Sequence, residues 1–375
     1  MTKIETLLKT LCPNGVEYKK IKDVYKRLRG TPITAGKMQE INNPAGNIRI
    51  FAGGQTVVNA FAKNIVGANV VNVPAVIVQS RGLIDFLYYE EPFTFKNEMW
   101  AYTANDKISV RYLFHLLKSK IPLFRKTAAE KGGLPQISLP VTEECLIPVP
   151  PLAAQGEIVR ILDNFTELTA ELTAELTARK KQYEFYRNHL LSFGDDVPRA
   201  KLGDNIKVLR GKRLTKKQLS DNGKFPVYHG GLDPLGFFSE KNREANSVMI
   251  INVGASAGTV GFSPVEFWSS DGCYCLGKSP VFSSKFLYHV LKLQEANLRS
   301  RVRVAGIPTL DASAVQQVSI PIIPLPEQER ITKILDRFDV LCNDISTGLP
   351  AEIAARQRQY EHYRDELLNF ERITL

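Results

Sequence analysis

The segment IPVPPLAAQGEIVRILDNF at residues 147–165 decides the fold, because a second version of it, IPIIPLPEQERITKILDRF, stands at residues 320–338. Each version opens with an isoleucine–proline run typical of a strand and continues in a pattern typical of a helix. Gln155 of the first version aligns with Gln328 of the second without a gap. We name this segment the joint, and its recurrence indicates that the chain is internally duplicated.

Three further pairs of segments support the duplication, and they occur in the same order in both halves. The pairs are YKKIKDVYKRLRG (18–30) with RAKLGDNIKVLRG (199–211), YLFHLLK (112–118) with FLYHVLK (286–292), and KQYEFYRNHLLSF (181–193) with RQYEHYRDELLNF (358–370). Four matched blocks in one order, with spacings that drift by only a few residues, are not expected by chance. The chain is therefore interpreted as a tandem repeat.

Each repeat is predicted to hold a globular part of mixed α/β (α+β) class, followed by a long helix. Short β-rich runs such as AVIVQS (75–80) and SVMIINV (247–253) alternate with Gly, Pro and Asn turns. YLFHLLK and FLYHVLK predict one short helix in each globular part. The predicted division is a globular domain at 1–146, a joint and helix at 147–193, a second globular domain at 194–319, and a second joint and helix at 320–375.

The two long helices differ in one respect. The first is predicted from about Gln155 to Phe193, because apolar residues recur at helical period and no proline interrupts them. The second is predicted from Glu327 to Phe370, but it contains Gly348-Leu349-Pro350. Proline removes a helical hydrogen bond and clashes with the preceding turn. We therefore expect a kink or a break at that point.

A finer repeat of the tetrad TAEL runs from Thr166 to Ala178 inside the first long helix. Leu168, Leu172 and Leu176 recur every four residues, which places them near one face of the helix. The simplest interpretation is an amphipathic helix with one solvated face. Because one tetrad can be gained or lost without destroying such a helix, the segment is also predicted to act as a ruler.

Composition and charge favour a globular protein that binds nucleic acid. The 49 Lys+Arg outnumber the 39 Asp+Glu, which gives a formal net charge of +10. A basic balance favours polyanionic partners, although it is weak evidence by itself. The five cysteines are scattered and odd in number, so we expect a reducing compartment and no structural zinc. No signal peptide and no apolar run long enough to cross a bilayer are recognised, so we expect a cytoplasmic protein without a membrane partner.

Basic residues cluster at matching places in the two repeats. One cluster alone is more often a solvated face, but recurrence in both repeats favours contact with phosphates. His229, which precedes Gly230-Gly231, is the histidine most suited to exposure, and we expect it to read DNA rather than to catalyse. The residues predicted to bind DNA are Arg29, Arg81, Arg125, Lys126, Lys131, Arg210, Lys212, Arg213, Lys216, Lys217, His229, Arg299, Arg301 and Arg303.

No motif in the sequence predicts a catalytic, metal or cofactor site. GCYCLGKS (272–279) matches the P-loop pattern, but its middle is strand-like and no helical pattern follows it, as a phosphate-binding loop requires. GASAGTVG (254–261) lacks dinucleotide-binding spacing and is predicted to be a turn, with a DNA-facing loop as the alternative. His115 and His289 are equivalent in the repeat and lie in apolar helical patterns, so we expect packed, structural histidines.

The joint followed by a helix with a QYE-containing end, present twice, resembles the specificity subunits of type I restriction-modification systems over essentially the whole chain. The resemblance implies two target recognition domains at opposite ends of two antiparallel helices, which form a coiled-coil-like spacer. It implies that each domain reads half of a split site in double-stranded DNA. It also implies two methyltransferase subunits as partners, with nuclease subunits when restriction is added. Residues predicted to contact the methyltransferase are Gln155, Tyr183, Tyr186, Gln328, Tyr360 and Tyr363.

The function expected from the sequence is therefore that of a non-catalytic, cofactor-free subunit that directs an adenine methyltransferase to a bipartite DNA site. Two alternatives belong to other classes. A P-loop NTPase would use Lys278 to bind nucleotide, and a coiled-coil scaffold would carry its basic faces incidentally. Nucleotide binding that disappears in Lys278→Ala would support the first alternative. Sequence-specific DNA binding discriminates against the second.

Overall fold

The computed structural model describes residues 6, 9–53, 56–129, 134–220 and 222–373. Its contacts divide the chain into two compact units, and each unit joins a globular part to segments of the long helices. Unit 1 comprises Met1–Glu171 and Ile353–Leu375, and unit 2 comprises Leu172–Glu352. The functional division predicted from sequence, which separates globular domains from helices, stays a prediction.

Unit 1 alternates short strands with short helices before the first long helix begins. Its elements in chain order are β1 Glu17–Lys20, α1 Ile21–Val24, β2 Lys26–Arg29, α2 Ala35–Glu40, β3 Ile48–Phe51, β4 Val57–Ala60, a 3₁₀ turn at Ala62–Asn64, β5 Ala75–Gln79, β6 Asp85–Tyr89, β7 Phe93–Phe95, β8 Trp100–Thr103, α3 Lys107–Ser119, α4 Ile121–Ala129, α5 Leu139–Glu143, β9 Leu146–Val149 and α6 Leu152–Leu190.

Unit 2 repeats this order with nearly the same set of elements. They are β10 Arg199–Lys201, α7 Leu202–Asn205, β11 Val208–Arg210, a 3₁₀ turn at Lys216–Gln218, β12 Phe225–Tyr228, β13 Gly236–Phe238, β14 Ser247–Ile251, β15 Val260–Ser263, β16 Trp268–Ser269, β17 Cys273–Leu276, α8 Ser284–Leu293, α9 Glu295–Ser300, α10 Ala312–Gln316, β18 Ser319–Pro321, α11 Leu325–Asn343 and α12 Leu349–Leu367. Two long helices are shared between the units, because residues 172–190 of the first belong to unit 2 and residues 353–367 of the last belong to unit 1.

Sheet topology shows the duplication directly. Unit 1 contains sheets of order β1-β9, β2-β8-β5-β6 and β4-β3-β7, and unit 2 contains the matching orders β10-β18, β11-β17-β14-β15 and β13-β12-β16. The central strands β5 and β14 are the predicted runs AVIVQS and SVMIINV. They have continuous apolar sequences because both of their faces are covered. The mixed α/β fold class and the repeat predicted from sequence are confirmed.

The main core of each unit forms where the predicted short helix packs beside the joint and the long helix. In unit 1, Leu113 and Leu116 of α3 lie with Ile147 of the joint and Ile158 of α6 in one buried cluster. In unit 2, the corresponding cluster contains Leu287 and Leu291 of α8 with Ile320 and Ile331. Each joint therefore anchors its globular part to its helix.

Helix α6 is continuous over 39 residues, which corresponds to about 58 Å. Within the TAEL run, Leu168, Leu172 and Leu176 are partly buried, whereas Glu171 and Glu175 are exposed. The leucines therefore share one face, as the spacing predicts. The action of this helix as a ruler stays a prediction.

The break expected in the second long helix is present, because α11 ends at Asn343 and α12 begins at Leu349. The Asp344 carboxylate accepts hydrogen bonds from the backbone amides of Ser346 and Thr347, at 2.7 and 3.2 Å. These amides are thereby diverted from the helical ladder, as capping side chains commonly do. Hydrogen bonds from Ser346 and Thr347 lower the pKa of Asp344 to about 2.

Candidate nucleic-acid interface

The strand that begins each large sheet delivers an arginine and then a glycine to one edge of the unit. In unit 2, a side chain at Gly211 would overlap the carbonyl oxygen of Ser270, so only glycine fits after Arg210. In unit 1, a side chain at Gly30 would lie 2.5 Å from the carbonyl oxygen of Phe95. Arg29 and Arg210 are exposed at the ends of β2 and β11, so the two units place an arginine equivalently.

A cleft of about 610 Å³ lies next to this edge in unit 2. It brings together Arg210, Arg213 and Lys216, which the sequence predicted as parts of one basic cluster, with His229, which was predicted separately. The cleft is also lined by Asp271, which the sequence did not single out. It is therefore a concave, mostly basic surface that contains one carboxylate.

Five basic side chains line this cleft or neighbour its lining residues in sequence, and none of them has an ion-pair partner among the described residues. Arg210, Arg213 and Lys216 of the lining and their neighbours Lys212 and Lys217 are all exposed, and their side chains form no ion pair with any residue that the structure describes. Cations without a carboxylate partner keep their charge available for an anion from outside. This arrangement suits contact with the phosphates of a nucleic acid.

The structure does not bring the other predicted arginines of unit 2 into the cleft lining. Arg299 donates to the Thr259 hydroxyl at 2.7 Å. Arg301 donates to the Asn297 side chain at 3.1 Å. Arg303 forms an ion pair of 2.9 Å with Asp311. Their contact with DNA stays a prediction, and these intramolecular bonds leave them less available than the residues of the cleft.

In unit 1 the predicted residues are more dispersed. Arg81 is exposed at a bridge with Gln136 that matches the bridge between Val253 and Thr309 in unit 2. Arg125 donates to the backbone oxygen of Ile84 at 3.2 Å, and Lys126 is exposed on the same helix, α4. Lys131 lies outside the described residues. Binding of DNA by these side chains stays a prediction.

The equivalent histidines are buried inside the units. The Nε2 atoms of His115 and His289 lie 2.8 Å from the carboxylates of Asp163 and Asp336 respectively. Both imidazoles are fully buried, and burial lowers the pKa of His115. They link α3 and α8 to the long helices, which confirms the structural role predicted for them.

The glutamines predicted to contact a methyltransferase are instead placed inside the joints. Gln155 Nε2 donates to the backbone oxygen of Pro150, and Gln328 Nε2 donates to that of Ile323, each at 2.8 Å. Both side chains are buried, which does not favour a direct contact with another chain. The four tyrosines are buried or half-buried on the helices, and the structure does not test their contact with a partner.

The P-loop alternative is inconsistent with the backbone. The middle of GCYCLGKS is strand β17, Cys273–Leu276, and the next helix begins only at Ser284. A phosphate-binding loop needs a helix N-terminus at its lysine. GASAGTVG forms the predicted turn, in which Gly254 and Gly258 adopt left-handed φ values of 85° and 87°.

Within the described ranges, no helix is both long and apolar enough to cross a membrane. No group of three or more His, Cys, Asp and Glu side chains in the same ranges is arranged to hold a metal ion.

Comparison with known proteins places the duplication in a family. The model of the type I restriction modification DNA specificity domain matches the chain twice, at residues 13–179 and 195–355. A type I restriction enzyme specificity subunit of Haemophilus influenzae is 33% identical over 301 residues, which cover 74% of this chain and 77% of that protein. The EcoR124I/EcoR124II specificity subunit of Escherichia coli is 35% identical over 242 residues, with 58% and 60% covered.

A solved structure shares the fold along nearly the entire chain. The type I restriction-modification S subunit from Mycoplasma genitalium superposes with a TM-score of 0.72 at 18% identity, covering 94% of this chain and 96% of that one. At this identity the likeness shows the fold alone. It agrees with the repeat and the long helices described above.

Proposed function

Because the chain belongs to the type I restriction-modification DNA specificity family, whose members are DNA-sequence-specificity subunits, we propose that each of its units reads one half of a bipartite DNA site. The chain itself is proposed to be non-catalytic and to direct a partner adenine methyltransferase. The observation that carries this proposal is the cleft of unit 2, whose basic side chains have no ion-pair partner among the described residues. The arrangement of strands around it occurs once in each unit.

Charge at the cleft supports contact with the DNA backbone. Arg210, Lys212 and Arg213 follow one another at the end of β11, with Gly211 holding the chain against the neighbouring strand. Phosphate contacts fix the position of a protein on the duplex, whereas contacts with base edges specify the sequence. We name Arg210, Lys212 and Arg213 the basic rim and assign it to positioning, and we assign His229 and Asp271 of the cleft lining to reading.

The partners are proposed from membership of the family. Two methyltransferase subunits, and nuclease subunits where restriction is present, would assemble on the chain. Tyr183, Tyr186, Tyr360 and Tyr363 remain candidates for the methyltransferase contact. Phe185 is a further candidate on the same helix, because its large apolar side chain is 63% exposed. The cytoplasm is the proposed location.

The proposal is tested by co-expressing the chain with the methyltransferase subunit of its own operon and mapping methylated adenines across a genome. The expected result is one bipartite sequence with an unspecified gap. Omission of the chain should abolish methylation at that sequence. Methylation that persists without the chain, or a contiguous recognition site, would contradict the proposal.

A further inference from the structure

His229 and Asp271 form a half-exposed pair inside the cleft of unit 2. The His229 side chain is 40% exposed and that of Asp271 is 31% exposed, and Nδ1 of the histidine lies 3.3 Å from Oδ1 of the aspartate. The backbone amide of Gly272 donates a hydrogen bond to the same Nδ1 at 3.2 Å. Because Nδ1 accepts, the proton of the neutral ring is on Nε2, which becomes a donor.

The same three positions carry different residues in unit 1. Strand β12 ends at Tyr228 beside Ser269, as β3 ends at Phe51 beside Phe95, so the residue that follows each strand is equivalent. Arg210 is paired with Tyr274 as Arg29 is paired with Trp100. Strands β17 and β8 therefore align at Tyr274 and Trp100, which also aligns the residues just before them. The equivalents of His229, Asp271 and Gly272 are Ala52, Asn97 and Glu98.

Gly272 is matched to the histidine that it supports. A side chain at this glycine would lie 2.6 Å from Nδ1 of His229 and 2.6 Å from Val253. In unit 1 the small Ala52 stands where the histidine stands in unit 2, and the glycine position is occupied by the larger Glu98. The frame is thus shared, while the hydrogen-bonding groups that it presents differ between the units.

We propose that His229 and Asp271 read one adenine in the half-site bound by unit 2, which rests on the proposed function of the chain. The Asp271 carboxylate accepts from the N6 amino group, and Nε2 of His229 donates to N7. In the major groove, adenine presents this donor and this acceptor side by side on one base.

The other three bases match the pair less well. Guanine presents two acceptors, O6 and N7, so O6 would face the carboxylate of Asp271. Thymine presents the O4 acceptor and a methyl group. Cytosine is the nearest competitor, because its N4 amino group can donate to Asp271, but its own edge has no ring acceptor for His229. A carboxylate left facing a carbonyl oxygen loses its hydrogen bond and is repelled, so the pair discriminates against guanine and thymine most strongly.

Two other residues position Asp271. Asn252 is buried, and its side-chain amide donates to the backbone oxygen of Asp271 at 3.2 Å. The Ser270 hydroxyl lies 3.1 Å from the Asp271 carboxylate and donates to it. The aspartate is therefore held before DNA arrives, which reduces the entropy lost when a base is bound.

The test compares Asp271→Ala with Asp204→Ala in the complex with the methyltransferase subunit. Alanine removes the acceptor for N6, whereas asparagine would keep one and can itself pair with adenine. Asp204 is an exposed acid of unit 2 that lies outside the cleft lining. Genome-wide methylation mapping should show that Asp271→Ala relaxes a single adenine requirement in one half-site. The preference for adenine at that position should fall by about ten-fold or more. Asp204→Ala should leave the site unchanged.

Base analogues on the unaltered complex test the same proposal if Asp271→Ala does not assemble. Oligonucleotide duplexes of the mapped site should lose about ten-fold in affinity when that adenine is replaced by purine, which lacks N6, or by 7-deazaadenine, which lacks N7. Equal binding of the analogues overturns the reading proposed here. So does an unchanged site in Asp271→Ala, or relaxation of a base other than adenine or of both halves. A wild-type complex that recognises no bipartite site would instead overturn the proposed function.

Discussion

Phe165 stacks on Tyr363, with ring centroids 5.3 Å apart and an angle of 28° between the ring planes. In unit 2 the equivalent rings, Phe338 and Tyr186, also lie 5.3 Å apart, at 25°. The first pair joins α6 to the last helix of the chain, and the second joins α11 to the far part of α6. Each unit therefore contains the same aromatic contact between helix segments that are distant in sequence.

This stacking should contribute measurably to the stability of unit 1. We expect Phe165→Leu and Tyr363→Leu each to lower the free energy of unfolding, with a coupling of about 0.5–1.5 kcal/mol in a double-mutant cycle. Urea unfolding of the wild type, the two single variants and the double variant gives this number. Additive effects of the two substitutions would show that the rings do not stabilise each other.

Stability should also depend on pH through the buried imidazole of His115. Burial lowers its pKa in the folded state, so the unfolded chain binds the proton more readily near pH 6. The contribution of neutral His115 is present above its unfolded pKa of about 6.5 and is lost as pH falls through the folded pKa.

His115→Gln isolates this effect, because glutamine stays neutral. Urea unfolding at pH 7.5 and 5.5 should show a smaller loss of stability in His115→Gln than in the wild type. The Asp163 carboxylate does not interfere in this range. Burial alone would raise its pKa, but hydrogen bonds from His115 and Arg111 hold that pKa below its usual value. Equal losses in the two proteins would assign the pH dependence to other groups.

The basic rim of the cleft should set affinity without setting sequence. Replacing Arg210, Lys212 and Arg213 together by alanine removes three charges that have no partner among the described residues. We expect weaker binding of all DNA sequences alike. The slope of log K against log salt should fall by about 2 to 3, since each phosphate contact contributes about 0.9.

The measurement is a salt titration of the methyltransferase complex with specific and unrelated duplexes. Arg330→Ala is the control, because its guanidinium is already paired with Glu327 and lies outside the cleft lining. A slope that does not change in the triple variant would show that these three side chains do not contact DNA.

The TAEL run provides a test of the ruler. Deleting Thr169 to Leu172 removes one tetrad from the continuous helix α6, which should shorten it by about 6 Å and rotate its far end by roughly 40°. Duplex DNA rises about 3.4 Å per base pair, so the gap between half-sites should contract by about one or two base pairs. Methylation mapping should show a shorter gap and unchanged half-site bases. An unchanged gap would reject the ruler.

The architecture could be predicted from sequence because its signals are local or repeated. The joints, the continuous α6 and the break before Leu349 each follow from spacing, proline and glycine placement within short segments. The two aromatic contacts could not be predicted. Phe165 and Phe338 were aligned by the repeat, but their partners Tyr363 and Tyr186 lie on segments that only the folded chain brings near.

The cleft was predictable only in part. Arg210, Arg213 and Lys216 stand in one basic segment, so charge density revealed them. Asp271 lies more than forty residues further along the chain from His229, and its unit 1 counterpart is an asparagine. Where the repeats diverge, equivalence is visible only from strand register. Divergence at those positions is expected of residues that distinguish two half-sites.

Exchange of residues 199–319 for the equivalent region of another specificity subunit tests the central claim most directly. This region contains all strands of unit 2 except the last residues of β18 and leaves both long helices intact. Methylated sites of the exchanged and original complexes are mapped across the same genome. The account predicts that one half of the bipartite sequence changes while the other half and the gap stay the same. A change in both halves, or in neither, would contradict it.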